Sequence, residues 1–168
     1  MRAAACALAT ALTFTLASLA TTSEAQLSRA RPVPSGAAVR FIGTWRLIAI
    51  EGDTGTTAAD RGPHPTGLIY YDATGHMAAQ IQPDRPRPAW SGRLPTPEQA
   101  LDAVRGYTAY FGTYTIDEKA RTVTHHRDGA INLEVRDYVR RYEFLPDGRL
   151  ALTPVNRASI RLIWERIK

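Results

Sequence analysis

Two short segments of this chain carry residues suited to closing one end of a β-barrel. Gly43 and Trp45 enter the first expected strand, and Arg161 and Trp164 lie on the last one. An indole can plug the base of a barrel, a glycine lets backbone pass close beside it, and a guanidinium stacks on the ring. We therefore expect these four residues to seal a closed barrel.

The region between these segments reads as strands and hairpins. Apolar and polar residues alternate with a period of two, and hairpin turns are predicted at residues 72–75 and at Asp147-Gly148. The expected strands cover residues 41–51, 67–71, 76–82, 107–116, 121–127, 137–145, 149–153 and 160–167. Eight strands enclose an interior that holds packed side chains or one small ligand. The predicted fold class is all-β, an eight-stranded up-and-down barrel.

A long proline-rich loop interrupts the strands. Residues 83–97 contain five prolines, and these exclude regular strand pairing. Thr96 then offers a helix cap, Pro97 occupies the first helical position, and Gly106 ends the helix. We expect one short helix here. The whole excursion is a candidate lid, with Trp90 packed either on the outer wall of the barrel or on a bound ligand.

The N-terminal residues predict export. Residues 1–25 have the basic start, apolar stretch and small-residue cleavage site of a signal peptide. Residues 26–38 lack periodicity and predict a flexible leader, which leaves residues 39–168 as the barrel domain. Cys6 is the only cysteine, so the mature chain is expected to lack disulfide and thiolate chemistry. We expect a periplasmic or secreted protein without stable membrane insertion after cleavage.

The charged residues exclude some classes of partner. The net charge is +5, but the arginines are scattered over strands and loops. A nucleic-acid-binding protein would concentrate its basic residues beside exposed aromatics, so no nucleic-acid partner is expected. The four histidines show no metal-ligand spacing, and no cofactor motif occurs. We expect neither a metal nor a cofactor.

Two adjacent histidines lie in the fifth expected strand. Neighbouring strand residues point to opposite faces, so at most one of His125 and His126 faces the interior. The face of His126 avoids Arg121 and Arg127, which favours His126 as the inward residue. Two roles stay open for it: a structural hydrogen bond to a threonine or tyrosine, and ligand orientation or proton transfer.

The sixth expected strand alternates aromatic residues with an arginine. Tyr138, Arg140, Tyr142 and Phe144 share one face, and the aromatics indicate that this face is interior. A buried Arg140 needs a partner, either a protein carboxylate or an acidic group of a ligand. The alternative is a twisted strand end at which Arg140 reaches solvent.

Several of these segments resemble a known family. The resemblance rests on Gly-Tyr-Thr-Ala-Tyr-Phe-Gly-Thr-Tyr-Thr-Ile at 106–116, Thr-Val-Thr-His-His at 122–126, and residues 41–45, 67–77 and 161–166. Together they are similar to the small lipocalin-like domain family, over about residues 41–168. The resemblance implies a calycin barrel, an exported bacterial member, and binding of a small, largely apolar molecule. Arg136-Asp137-Tyr138 lacks the threonine of the second lipocalin motif, and the disulfide common in secreted lipocalins is absent.

We predict that the barrel binds a small hydrophobic or amphipathic ligand. The residues expected to line its cavity are Tyr107, Phe111, His126, Tyr138, Arg140 and Tyr142. Two alternatives stay open. One is a cofactor-independent isomerase, cyclase or lyase that uses an inward histidine or tyrosine as acid or base. The other is a filled barrel that serves as an envelope interaction module.

Overall fold

The computed structural model describes residues 36–87, 89–131 and 137–168. The elements found there are α1 (Ala37–Phe41), β1 (Gly43–Glu51), α2 (Thr56–Arg61), β2 (Thr66–Tyr71), β3 (His76–Gln82), α3 (Pro97–Val104), β4 (Thr108–Asp117), β5 (Thr122–Ala130), β6 (Asp137–Phe144), β7 (Leu150–Pro154) and β8 (Arg161–Arg166). The predicted signal peptide lies outside the described residues, as does most of the predicted leader. No helix in the described part of the chain is long and apolar enough to cross a membrane.

The strands form a closed antiparallel barrel in chain order. Each strand pairs with its sequence neighbour, and β1 closes the ring by pairing with β8. The prediction of an all-β, eight-stranded up-and-down barrel is confirmed. The helix in the proline-rich excursion is also confirmed: α3 begins with a capping box in which Thr96 and Gln99 bond each other's backbone N–H. The helices α1 and α2, each of six residues or fewer, were not predicted from the sequence.

Hairpin register decides which side chains enter the barrel. In the β2–β3 hairpin, Tyr71 lies opposite Met77 and Ile69 lies opposite Ala79. All four are buried, and they share one face because register partners lie on the same side of a sheet. The interior of the barrel is therefore lined by alternate residues of each strand, and the other residues face outward.

The base of the barrel is closed by α1 and two further side chains. Phe41 is fully buried, and its ring contacts the ring of Tyr142 edge-on at 5.1 Å between centroids. The Trp45 indole N–H donates to the Phe41 carbonyl at 2.8 Å. The Arg166 guanidinium lies 4.2 Å from the Trp45 ring centroid and donates to the carbonyls of Ile42 and Arg40. The Arg166 guanidinium therefore covers the indole and also holds the backbone that leads into β1.

The arginine that closes the base was wrongly predicted. Arg161 pairs with Glu51 at the far end of β1, whereas Arg166 is the register partner of Trp45. The Arg161 side chain instead forms a surface salt bridge with Glu143 at 2.6 Å. Trp164 is buried in the core, as expected for a closing residue. The antiparallel register of β1 and β8 thus selects the arginine at the end of β8 and excludes the one at its start.

Substitution of Gly43 should destabilise the closed base of the barrel. Its φ is +132°, and a Cβ there would lie 2.6 Å from Arg166 Nη1. Gly43→Ala should lower the free energy of unfolding by about 2–3 kcal/mol, because backbone strain and displacement of the guanidinium add. Gly148→Ala is the control, since Gly148 also has positive φ but faces open space. The free energy of unfolding of Gly148→Ala should fall by about 1 kcal/mol. Equal losses in urea denaturation would contradict the role given to Gly43.

Candidate functional site

A cavity of about 490 Å³ opens at the end of the barrel opposite Trp45. Its wall comes from the ends of the strands farthest from the base, together with the segments that follow β7 and α3. The lining includes Ile81, Tyr107, Tyr110, Arg127, Tyr138, Arg140, Ile160 and Leu162. A volume of this size lies within the range of small-molecule sites, about 300–1,000 Å³.

The rim of the cavity is held by the two helices that flank it. Arg85 donates to the Asp102 carboxylate at 2.6 Å and to two backbone carbonyls at the end of α3. Arg61 of α2 lines the cavity and donates to the largely buried Asp53 carboxylate at 2.6 Å. Arg157 reaches the same carboxylate at 3.4 Å. These charge-assisted bonds fix the loops that frame the opening.

Two arginines enter the cavity from neighbouring strands. Arg127 is 2 % exposed, and its guanidinium lies 3.8 Å from the Tyr138 ring centroid. Arg140 is half-buried, with its guanidinium 5.0 Å from the same ring. Within the described residues, the Arg140 guanidinium makes this aromatic contact but no hydrogen bond or salt bridge. The cavity therefore combines apolar and aromatic walls with positive charge.

A buried hydrogen-bonded chain lies on the inward faces of β2, β5 and β4. The His125 imidazole is fully buried, with Nε2 2.7 Å from the Tyr71 hydroxyl and Nδ1 3.0 Å from the Tyr110 hydroxyl. Burial lowers the pKa of His125 well below its usual range, and the charge of Arg140 lowers it further. Burial likewise raises the pKa of both tyrosines. All three groups are therefore neutral near pH 7.

The structure reverses the predicted orientation of the histidine pair. His126 lies on the outer face, where it bonds the Thr115 hydroxyl at 2.9 Å and the Asp137 carboxylate at 3.1 Å. The prediction that His126 faces inward is wrong, because it assumed that Arg127 marks an outward face. Arg127 is buried over an aromatic ring instead, and this places His125 on the interior side with it.

Phe111 also faces outward, contrary to the prediction. It lies one residue from Tyr110, whose side chain enters the barrel, and strand alternation therefore directs Phe111 outside. Its ring is 60 % exposed and covers the backbone of Gly129 on the neighbouring strand. Phe111 thus contributes to an external apolar surface and not to the cavity.

Three of the other four residues predicted to line the cavity do so, and the fourth lies at the base. Tyr107, Tyr138 and Arg140 line the cavity. Tyr142 packs against Phe41 at the base and is absent from the cavity wall. Whether the three lining residues contact a ligand stays a prediction. Neither Tyr110 nor His125 was predicted to belong to the site, and Arg127 was used only as a mark of an outward face.

Two further predictions concern the lid and the histidines. Trp90 is 53 % exposed and does not line the cavity, although the end of α3 does contribute to the rim. Among the described residues, no three histidine, aspartate or glutamate side chains gather where they could hold one metal ion. The polar side chains that line the cavity include four arginines, two tyrosines besides Tyr110, Asp137 and Asn156.

Comparison with known proteins identifies the family. The model of the lipocalin-like domain matches residues 42–167. The chain belongs to the lipocalin-like domain family. The resemblance found in the sequence is thus confirmed, and the match covers all eight strands of the barrel. A search of curated proteins finds no match. Membership of the lipocalin-like family indicates binding of small ligands in general and does not specify the ligand.

The buried imidazole of this lipocalin-like barrel should make its stability depend on pH. The unfolded chain takes up a proton near pH 6.5, whereas native His125 stays neutral, so stability should fall as pH drops below 6.5. Between pH 7.5 and 5.0 the wild type should lose up to about 2 kcal/mol more than His125→Gln in urea denaturation. His126→Gln is the matched control and should keep the wild-type slope, because it retains the buried imidazole. Parallel slopes for wild type and His125→Gln would contradict this assignment.

Proposed function

We propose that this lipocalin-like barrel is an exported protein that binds a small amphipathic ligand whose acidic group is held by Arg140. The ligand would enter at the end opposite Trp45, with its apolar part against the aromatic and aliphatic wall. The observation that carries the proposal is the half-buried Arg140 guanidinium, which makes no salt bridge or hydrogen bond within the described residues. A guanidinium in such a setting is most stable when a carboxylate or similar anion accepts its hydrogen bonds.

The charges around Arg140 support an anionic ligand. Arg127 enters the same cavity, and Arg61 and Arg157 stand at its rim around Asp53, the carboxylate they share. Asp137, also on the rim, lies beside His126 on the outer face. Cations therefore outnumber carboxylates in the lining, and a focused positive potential raises the local concentration of anions.

The position of His125 counts against an enzyme that uses an inward histidine as its acid or base. Its two ring nitrogens are both engaged by tyrosine hydroxyls, and the ring is fully shielded from solvent. A general base must reach the proton that it abstracts, either directly or through one water. The filled-barrel alternative is disfavoured by the cavity of about 490 Å³, although the base half of the barrel is filled by side chains.

Arg140→Gln should weaken binding of an anionic amphiphile selectively. For decanoate we expect a loss of about 10- to 100-fold in affinity by titration calorimetry, because a charge-assisted hydrogen bond is removed. For 1-decanol, which has the same chain without the charge, the loss should stay within about twofold.

Arg141→Gln is the matched control for this experiment. Arg141 is the next residue of β6, but its side chain is exposed on the outer face. The same charge is removed there without touching the cavity, so decanoate affinity should be unchanged. Equal losses of decanoate affinity in the two variants would show that net charge, and not the position of Arg140, causes the effect. If Arg140→Gln binds decanoate as tightly as the wild type, the assigned ligand class is wrong.

Export is proposed from residues 1–25 and has its own test. Mass spectrometry of the protein recovered from the exported fraction of its own cells should give a chain that begins at Gln26, the residue after the predicted cleavage site. Full-length protein confined to the cell interior would contradict export without affecting the ligand proposal.

A further inference from the structure

The buried chain of Tyr71, His125 and Tyr110 connects the core of the barrel to the cavity. Tyr71 is fully buried at one end of the chain, whereas Tyr110 lines the cavity at the other end. The two hydroxyls lie 2.7 Å from Nε2 and 3.0 Å from Nδ1 of the same ring. Both contacts are therefore hydrogen bonds, and their direction decides what the chain presents to a ligand.

A neutral imidazole has one N–H donor and one bare nitrogen acceptor. One tyrosine oxygen must therefore accept a hydrogen bond from the ring N–H, and the other tyrosine must donate its O–H to the bare ring nitrogen. Only two arrangements satisfy both bonds. Either Nε2–H donates to Tyr71 and Tyr110 donates to Nδ1, or Tyr71 donates to Nε2 and Nδ1–H donates to Tyr110.

Burial distinguishes the two arrangements. The hydrogen bond to His125 is the only one that the Tyr71 hydroxyl makes within the described residues, and the side chain has no solvent contact. If Nε2–H donated to it, the Tyr71 hydroxyl proton would be buried without an acceptor. An unsatisfied buried donor is costly enough to shift the tautomer ratio by about tenfold or more. In the opposite arrangement, the proton left over belongs to Tyr110, which is 6 % exposed and lines the cavity, where a ligand group can accept it.

We propose that the Tyr71–His125–Tyr110 chain holds His125 as the Nδ1–H tautomer, and so presents the Tyr110 O–H to the cavity as a donor to the ligand's acidic group. The position of this donor rests on the structure, and its ligand rests on the function proposed above. Arg140 and Tyr110 then form one subsite, in which the guanidinium supplies charge and the phenol supplies a directed hydrogen bond. The charge of Arg140 acts on the Tyr110 hydroxyl, as the lowering of the pKa of Tyr110 by this guanidinium against the larger effect of burial indicates.

A subsite of this kind selects ligands by hydrogen-bonding type. Both of its members donate, so it fits a group that only accepts, above all a carboxylate with two oxygens. A ligand amine or ammonium group would leave the donors unsatisfied and would also be repelled by the guanidinium. Tyr110 is thus inferred to be a specificity-determining residue.

The tautomer can be measured without any ligand. Long-range ¹H–¹⁵N correlation spectra of the ¹⁵N-labelled protein at pH 7 distinguish a protonated from a bare ring nitrogen, and His125→Gln identifies the signals by removing them. We expect a protonated Nδ1 and a bare Nε2. The Nε2–H tautomer or a doubly protonated ring would overturn the inference.

The donor itself is tested with two hydroxyl deletions. Tyr110→Phe should weaken decanoate binding about tenfold by titration calorimetry, because it removes the donor at the cavity. Tyr114→Phe is the matched control: it removes another tyrosine hydroxyl of β4, which donates to the Asp72 carbonyl, lies outside the hydrogen-bonded chain and does not line the cavity. Its decanoate affinity should stay within about twofold of wild type, and circular dichroism should confirm that both variants are folded.

The outcomes separate this inference from the proposed function. If decanoate binding depends on Arg140 but is equal in Tyr110→Phe and wild type, the donor role is wrong and the proposed function stands. If the wild type does not bind decanoate, the ligand class is wrong, and the tautomer spectrum alone decides the direction of the chain. Equal weakening in both tyrosine variants would assign the effect to packing and would overturn the inference.

Discussion

The contact between Arg166 and Trp45 determines which end of the barrel is closed. A guanidinium over an indole contributes about 0.5–2 kcal/mol, and here the same group also bonds two carbonyls of the entering chain. Phe41 and the neighbouring aromatic rings then fill the base half of the interior. Because one end is filled in this way, the remaining space collects at the other end. The position of the cavity is therefore set by the closed base of the barrel more than by the residues that line the cavity.

The cavity brings together features that an ordinary core avoids. Arg127 is buried and Arg140 is half-buried, and both guanidinium groups lie near the Tyr138 ring. The electron-rich face of this ring compensates part of the hydration that each guanidinium loses. Near them, His125 is held neutral by burial and by the charge of Arg140. Apolar walls, positive charge and a neutral polar chain are thus combined at one end of the lipocalin-like barrel. This combination suits an amphipathic anion better than a purely apolar molecule.

The sequence predicted the fold well because the strands and turns follow local rules. Period-two alternation and turn residues located the strands, and the capping pattern at Thr96 located α3. The site was harder to predict. Which face of a strand points inward depends on the strand register, and charged residues are sometimes buried. Arg127 was interpreted as a mark of the outer face, and that single buried arginine inverted the assignment of His125 and His126. Arg166 was missed for a related reason, since only the register of β1 and β8 shows which arginine meets the indole.

The pairing of β1 with β8 has a consequence for how the barrel forms. The chain segments that Arg166 joins are 124 residues apart in sequence at Ile42, so the ring cannot close until nearly all of the domain is available. Such distant contacts make folding slow compared with helical domains, because loop-closure entropy is lost before the contacts compensate it. Until the ring closes, β1 and β8 are edge strands whose unpaired N–H and C=O groups can pair with another chain. Closure of the ring therefore removes both of these strand edges as it completes the barrel.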